Sequence, residues 1–305
     1  MIDTSYLSQP APVKPSYSSK FHLPTACVAI LNWHGIQYLP SLLSSLLSAV
    51  AKYPGECSII VLDNNEEDDT DRVWIEQNFP TVKVVRAPKN DFLYSYNWLL
   101  EQLTEQVVIL LNNDLKVDEN FLLPLIEHFE NPQVFAASSR SYDWEGKHLT
   151  SGPYLFRQHH GWFYCTPDLS LQMTCHTLFA CGGHMAVDRE KFISLGGFDR
   201  LFYPAYGEDL DLCYRAWQKN WISIYEPESI VYHAQSGSWN DKGDRKAEYM
   251  TLRSNFLFQW RNLNRFPFNL KRSLYLPWLL LRKAIKGDST WWKAYREAKA
   301  IWRNN

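Results

Sequence analysis

Apolar and polar positions along this chain follow two different periods. Continuous apolar runs at residues 27–33 (CVAILNW), 58–63 (SIIVLD), 82–86 and 107–111 (VVILL) read as strands. Between them the helical period recurs at 38–52, where Leu42, Leu43, Leu46 and Leu47 share a face, at 70–79 and at 94–106. Strands that are apolar throughout, instead of alternating, predict parallel pairing with helices on both faces. The expected fold is α/β, a doubly wound, mostly parallel sheet with its ligand crevice at the carboxyl ends of the strands.

After Asn131 the runs shorten, and 144–162 reads as irregular loop. A short strand at 184–187 leads into a helix at 189–195, and a helix after Gly207 runs to about Asn220. Strands at 221–225 and 229–233 follow, then helices at 246–262, 269–286 and 290–302. Residues 1–24 carry Pro10, Pro12, Pro15 and Pro24 among many Ser and Tyr, and predict an extended or disordered leader. Three regions result: the leader (1–24), a central α/β domain (25–240) and a helical tail (241–305). No internal repeat is visible.

Charge changes the picture at the tail. From Lys242 onward there are 15 Lys+Arg against 4 Asp+Glu, whereas the whole chain has a net charge of −2, so the preceding part is strongly acidic. A basic tail rich in Trp, Phe and Leu suggests an anionic partner such as a membrane surface, with docking onto the acidic body as the structural alternative. Nothing in it resembles a base-reading module, so nucleic acid is not expected. No apolar run reaches membrane-spanning length; the longest, 274–281, is short and holds Pro277. Six cysteines without a CxxC pair, and no signal peptide, predict reduced thiols and a cytoplasmic location. Cys175, His176, Cys181 and His184 have no common zinc spacing.

Candidate chemistry collects at strand ends. Asn32-Trp33, Asp63-Asn64-Asn65 and Asn112-Asn113-Asp114 end three strands at the same edge, more polar side chains than turn propensity requires. Asp63 suits hydrogen bonds to a ribose or base. Asp114 can hold a hard divalent cation against a diphosphate, and His233, after the last strand, is a candidate second ligand. Neither a GxGxxG nor a GxxxxGK[ST] loop is present. Glu208, Asp209 and Asp211 fill the first turn of the helix after Gly207, where a carboxylate can be oriented and tuned as a base. Asp211 and Arg215 are also an ordinary i,i+4 pair.

Taken together, VAILNWHGIQYLPSLLSSLL, IIVLDNN, VVILLNNDLKV, ACGGHMAVDREKFISLGGFDRLFYPAYGEDLDLCYRAWQKNW and SIVYHAQSGS resemble the family 2 glycosyltransferases of GT-A fold, in particular the bacterial rhamnosyl- and galactofuranosyltransferase-like branch. The resemblance runs from about Cys27 to Ser238. It implies that Asp63 and Asn64 bind nucleotide with Asn32 in the adjacent loop, and that Asn113 and Asp114 fall on the metal-binding DXD motif. It puts His233 on a late metal or diphosphate ligand, Asp209 on the catalytic base with Glu208 beside it, and Gly182 and Gly183 on the acceptor-side loop. Asn97 stands where a donor-loop Asn is expected. Two positions depart from the pattern: Asn112 replaces the first DXD acid, and Phe92 and Tyr96 replace small residues of the donor loop.

The implied reaction is an inverting, Mn2+- or Mg2+-dependent transfer from a dTDP- or UDP-linked sugar to a glycan or lipid-linked glycan hydroxyl, in bacterial surface polysaccharide assembly at the inner face of the plasma membrane. Two other readings stay open: transfer directly onto a polyprenyl phosphate, and a catalytically silent sugar-nucleotide-binding or scaffold protein.

Overall fold

The computed structural model describes Val13 and residues 23–234, 245–264 and 266–304. The expected leader, and the Ser/Gly loop after His233, therefore lie largely outside the described residues.

Four strands form the parallel half of the sheet: β1 (Ala26–Asn32), β2 (Cys57–Asp63), β3 (Lys83–Arg86) and β4 (Val107–Asn112), in spatial order β3-β2-β1-β4. The connecting helices are α1 (Leu39–Lys52), α2 (Thr70–Asn78) and α3 (Ser95–Gln102). Successive β1 side chains enter two different cores: Val28 and Ile30 meet Leu42, Leu43 and Leu46 of α1, and Cys27 and Ala29 meet Tyr96, Leu99 and Leu100 of α3. That two-sided burial is why the strands read as continuous apolar runs. Each fully buried Leu contributes about 1.5–3 kcal/mol. The register sets Asn32 opposite Asp63 and Leu31 opposite Asn112, so the three polar strand ends finish side by side.

Beyond β4 the sheet is mixed. The remaining strands are β5 (Leu115–Val117), β6 (Val134–Asp143), β7 (Leu149–Ser151), β8 (Tyr154–His159), β9 (Trp162–Pro167), β10 (Cys175–His176), β11 (His184–Asp188) and β12 (Ile222–His233). β11 lies antiparallel between β4 and β6, and β12 returns parallel to β6. β8 and β9 form a separate hairpin. The stretch expected as irregular loop at 144–162 thus carries β7, β8 and the start of β9. The two strands expected at 221–225 and 229–233 are one, interrupted by a register shift between Glu226 and Ile230. Pro227 sits in that shift, where its missing N–H costs no ladder bond.

Three further helices precede the tail: α4 (Leu122–Ile126), α5 (Arg189–Ser194) and α6 (Glu208–Trp217). The tail itself folds as α7 (Arg245–Asn262), α8 (Phe268–Ile285) and α9 (Thr290–Asn304). α7 is built into the body: Phe256, Leu257 and Phe258 are fully buried, Phe258 lies 5.0 Å from Phe163 and 5.3 Å from Tyr214, and Gln259 Oε1 accepts the Phe163 amide at 3.0 Å. Among the described residues no helix is long and apolar enough to cross a membrane. All six cysteines are free.

Candidate active site

The polar strand ends form one connected wall. Asn32 is fully buried; its Nδ2 donates to Asp71 Oδ2 (2.9 Å) and its Oδ1 accepts from Asn113 Nδ2 (3.0 Å). Asp71 Oδ2 also accepts the Gly35 amide (2.9 Å) and Asn65 Nδ2 (3.4 Å). A Cβ on Gly35 would collide with the Asn32 and Asn113 side chains, so the loop needs glycine there. Asp63 is buried, accepting the Asn65 amide at Oδ1 (3.1 Å) and Arg86 Nη2 at Oδ2 (3.3 Å). The Asn64 amide donates to Asn32 O (2.8 Å) and its Nδ2 to Phe92 O (3.0 Å), while its Oδ1 is buried with no protein partner.

At the neighbouring strand end Asp114 faces His233, whose Nε2 lies 3.2 Å from both carboxylate oxygens. The register that pairs His233 with Leu115 across β12 and β5 fixes this approach. One carboxylate and one imidazole suit a divalent ion that takes its remaining ligands from phosphate and water. No third His, Cys, Asp or Glu joins them among the described residues. The same holds for Cys175, His176, Cys181 and His184, which form no metal cluster. His184 is a buried neutral residue, pushed down to about 3 by burial and then by His233.

The opposite wall is the start of α6. Gly207 caps it with φ +91°, a conformation that favours glycine, and a Cβ there would press on Ser254 at 3.0 Å. Asp209 accepts the Gly182 amide at Oδ2 (3.2 Å) and the Leu210 amide at Oδ1 (2.7 Å). Burial raises Asp209 above its ordinary value, against the lowering by these amides. Glu208 is buried with Oε2 unpartnered, and burial followed by the Asp209 charge pushes it well above the carboxylate range. The two walls meet through Gly182 and Gly183. The Asn112 amide donates to Gly183 O (2.9 Å), and a Cβ on Gly183 would sit 2.8 Å from Asn112 Nδ2.

Asp211 turns inward. It is fully buried, bound by Arg215 Nε (2.7 Å) and Asn262 Nδ2 (2.8 Å), and Arg215 reaches on to Leu195 O and Gly197 O at 2.6 and 2.7 Å. Asn97 has a different place from the donor contact expected of it. Both ends of its amide are taken by the Phe198 backbone, at 2.9 Å each, so it fixes the loop that leads to α6. Tyr96 is core, its hydroxyl shared between Ala29 O and Leu111 O. Phe92 instead packs edge-on against Tyr203 at 5.6 Å, and Arg200 pairs with Asp91, so the loop before α3 is strapped to the loop before α6.

Three contributors were not singled out from sequence. Asp71 looks like any acid in a first helical turn, although it holds three donors of the strand-end wall. Arg86 ends β3 with nothing to mark its link to Asp63. Arg253 comes from the tail: it is buried in α7, donates to Phe202 O (2.9 Å) and Ala205 O (3.3 Å), and its charge acts on Glu208. Spacing gives no signal for a partner some forty residues downstream.

A family profile described as Glycosyl transferase family 2 matches residues 26–196. Among curated proteins, the putative polypeptide N-acetylgalactosaminyltransferase 10 of Drosophila melanogaster is 25% identical over 70% of this chain and 36% of its own length. N-acetylgalactosaminyltransferase 6 of the same organism is 26% identical over 78% of this chain and 38% of its own. The O-antigen biosynthesis protein RfbC of Myxococcus xanthus is 25% identical over 69% of this chain and 17% of its own. The chain therefore spans well under half the length of these relatives. In fold it is similar to GalNAc-T7, solved with UDP, GalNAc and Mn2+ (TM-score 0.59, 17% identity, 79% of this chain and 48% of that one). It is likewise similar to the mannosyltransferase PcManGT from Pyrobaculum calidifontis, in complex with GDP-Man and Mn2+ (TM-score 0.58, 16% identity, 96% and 78%). The fold is that of the GT-A glycosyltransferases. With more than half its residues matched by the profile, the chain belongs to glycosyl transferase family 2.

Proposed function

We propose that this protein is an inverting, metal-dependent glycosyltransferase that moves a sugar from a nucleoside-diphosphate donor to a hydroxyl of a glycan or lipid-linked glycan. The observation that carries the reading is the pairing of two walls. An amide-held carboxylate with a raised pKa, Asp209, is joined through Gly182 and Gly183 to a strand edge that ends in Asp114 and His233.

Asp63, Asn64, Asn32 and Asn113 make the nucleoside side. Asp114 and His233 would hold Mn2+ or Mg2+, which would supply positive charge to the departing diphosphate. Asp209 accepts the proton of the acceptor hydroxyl as its oxygen attacks the anomeric carbon from the face opposite the nucleotide. Burial and the Asp209 charge push Glu208 further above its ordinary value than burial pushes Asp209, which leaves Asp209 the more readily ionised member of the pair. Holding donor and acceptor across one cleft supplies much of the remaining acceleration through orientation.

The names of the relatives and neighbours support a sugar nucleotide such as UDP- or GDP-linked hexose, and the reading keeps dTDP-deoxyhexose beside them. The O-antigen protein supports a role in bacterial surface polysaccharide. The basic tail supports work at the inner face of the plasma membrane. A thermal-shift and turnover panel of UDP-, GDP- and dTDP-sugars with and without Mn2+ tests the reading, with NMR of the product's anomeric configuration. Metal-stimulated turnover with inverted configuration is expected. Retained configuration overturns the single-displacement mechanism, and binding without any turnover favours a silent sugar-nucleotide protein.

A further inference from the structure

Helix α8 has a face that stays exposed among the described residues. Its inner side is anchored: Leu279 and Leu280 are buried, and Arg272, itself buried, donates to Gln259 O at 3.0 Å. On its outer side Leu270, Leu274, Trp278, Leu281 and Ile285 are each 50–77% exposed. Their spacing of four, four, three and four residues sets them in one stripe, about 22 Å long at 1.5 Å per residue. An aligned row of five large apolar side chains marks a binding surface, unlike the single exposed apolar residues found on any protein.

The charges beside the stripe decide the partner. Lys271, Arg282 and Lys286 are exposed along one border, and α8 contains no Asp or Glu. An apolar stripe edged by cations matches the boundary of an anionic bilayer, where acyl chains and negative headgroups lie at adjacent depths. A second copy packed on the same face by a two-fold axis would set these cations against each other. Crossing the bilayer is ruled out for this helix by its low apolarity and its four cations, with Arg272 and Lys283 on its inner half.

The face is also mechanically tied to the cleft. The tip of the β8–β9 hairpin meets α8, with His159 and His160 rings 5.7 and 5.1 Å from Tyr275. At its other end Tyr154 stacks on Phe179 at 4.2 Å, two residues before Cys181 and close enough to feel the Asp209 charge. Five residues of strand separate these ends, about 17 Å.

We propose that the outer face of α8 lies on an anionic lipid surface and that the β8–β9 hairpin sets the distance from that surface to the acid pair. The docking half stands without the transferase reading; the acceptor half, a short glycan carried on a lipid, rests on it.

Flotation of the full chain tests this, using vesicles of phosphatidylcholine alone or mixed with phosphatidylglycerol. Binding to the mixed vesicles, weakened by salt, is expected. Lys271→Glu/Lys286→Glu should lower partitioning at least about fivefold for each cation removed. Leu274→Glu/Leu281→Glu should abolish it, while Val73→Glu, a change at an exposed apolar residue of α2, leaves it intact. Undiminished flotation of the Leu274/Leu281 variant overturns the proposal. So does a lipid-free dimer that the same variant disperses. Donor hydrolysis by water needs no vesicle and should stay at the wild-type level in both α8 variants. Flotation with no hydrolysis by any variant would leave the docking face standing and remove the transferase reading.

Discussion

The two walls of the cleft are built on opposite principles. On the nucleotide side polar groups are spent on one another: Asp71 holds Asn32 and the Gly35 amide, Asn32 holds Asn113, and Arg86 holds Asp63. On the acid side two carboxylates share the first turn of α6, one of them buried with an unpartnered oxygen and both raised above their ordinary values by burial. The first wall is rigid by satisfaction, so it can present a fixed surface to a nucleotide without reorganising. The second is left desolvated, which raises the basicity of a carboxylate, as the proposed role of Asp209 requires.

Substitutions should separate the two designs, and the largest effect is expected on the acid side. Asp209→Asn is isosteric, so folding and donor binding should persist while kcat falls by about 10²–10⁴-fold, measured with saturating donor and Mn2+. Unchanged nucleotide affinity in that variant would confirm that the walls act separately. On the nucleotide side Asp71→Ala strips an acceptor from three donors. It should lower stability by about 3 kcal/mol, read by urea unfolding, and weaken nucleotide binding without moving the pH profile. His233→Ala should raise the Mn2+ concentration needed for half-maximal activity by about 10–100-fold, the range seen when metal-supporting groups are lost.

The smallest effect carries the sharpest sign. Glu208 has a folded pKa raised above its unfolded value, so its ionisation opposes folding. That penalty is absent in acid and grows as pH rises through the raised value. Glu208→Gln should therefore gain about 1 kcal/mol of stability above neutral pH and nothing in acid, measured by thermal unfolding at both ends. A loss at high pH would mean that Glu208 is held by a favourable charge partner, with Arg253 the nearest candidate.

Sequence and structure agree where a single side chain reports its own environment. The parallel strands were legible because residues such as Val28 and Cys27 are buried in opposite cores, leaving no polar position to break the run. Asp63, Asp114 and Asp209 stood out because acids at strand ends or helix starts are local signals. Asp211 resolved as the structural partner of Arg215 that its spacing allowed. What was not legible depends on pairing across the sheet. The antiparallel insertion of β11, the union of two short strands into β12 around Pro227, and the capture of Asn97 by Phe198 are all set by partners a hundred or so residues away or by register. Likewise the tail reads as uniformly basic and aromatic, yet α7 is part of the core and α8 exposes its apolar stripe. Both helices mix basic residues with large apolar ones, and burial is what separates their roles.

The central claim is that Asp209 is the base, tuned upward by burial. Its most direct test is the pH dependence of kcat/KM for sugar transfer or donor hydrolysis at saturating Mn2+, for the wild type and Glu208→Gln. The acidic limb of the wild type should lie above the ordinary value of an aspartate, because Asp209 must be ionised to act. It should keep that position in Glu208→Gln, where the group removed is uncharged while Asp209 ionises. An acidic limb at the ordinary aspartate value, or one that disappears in Glu208→Gln, would contradict the assignment.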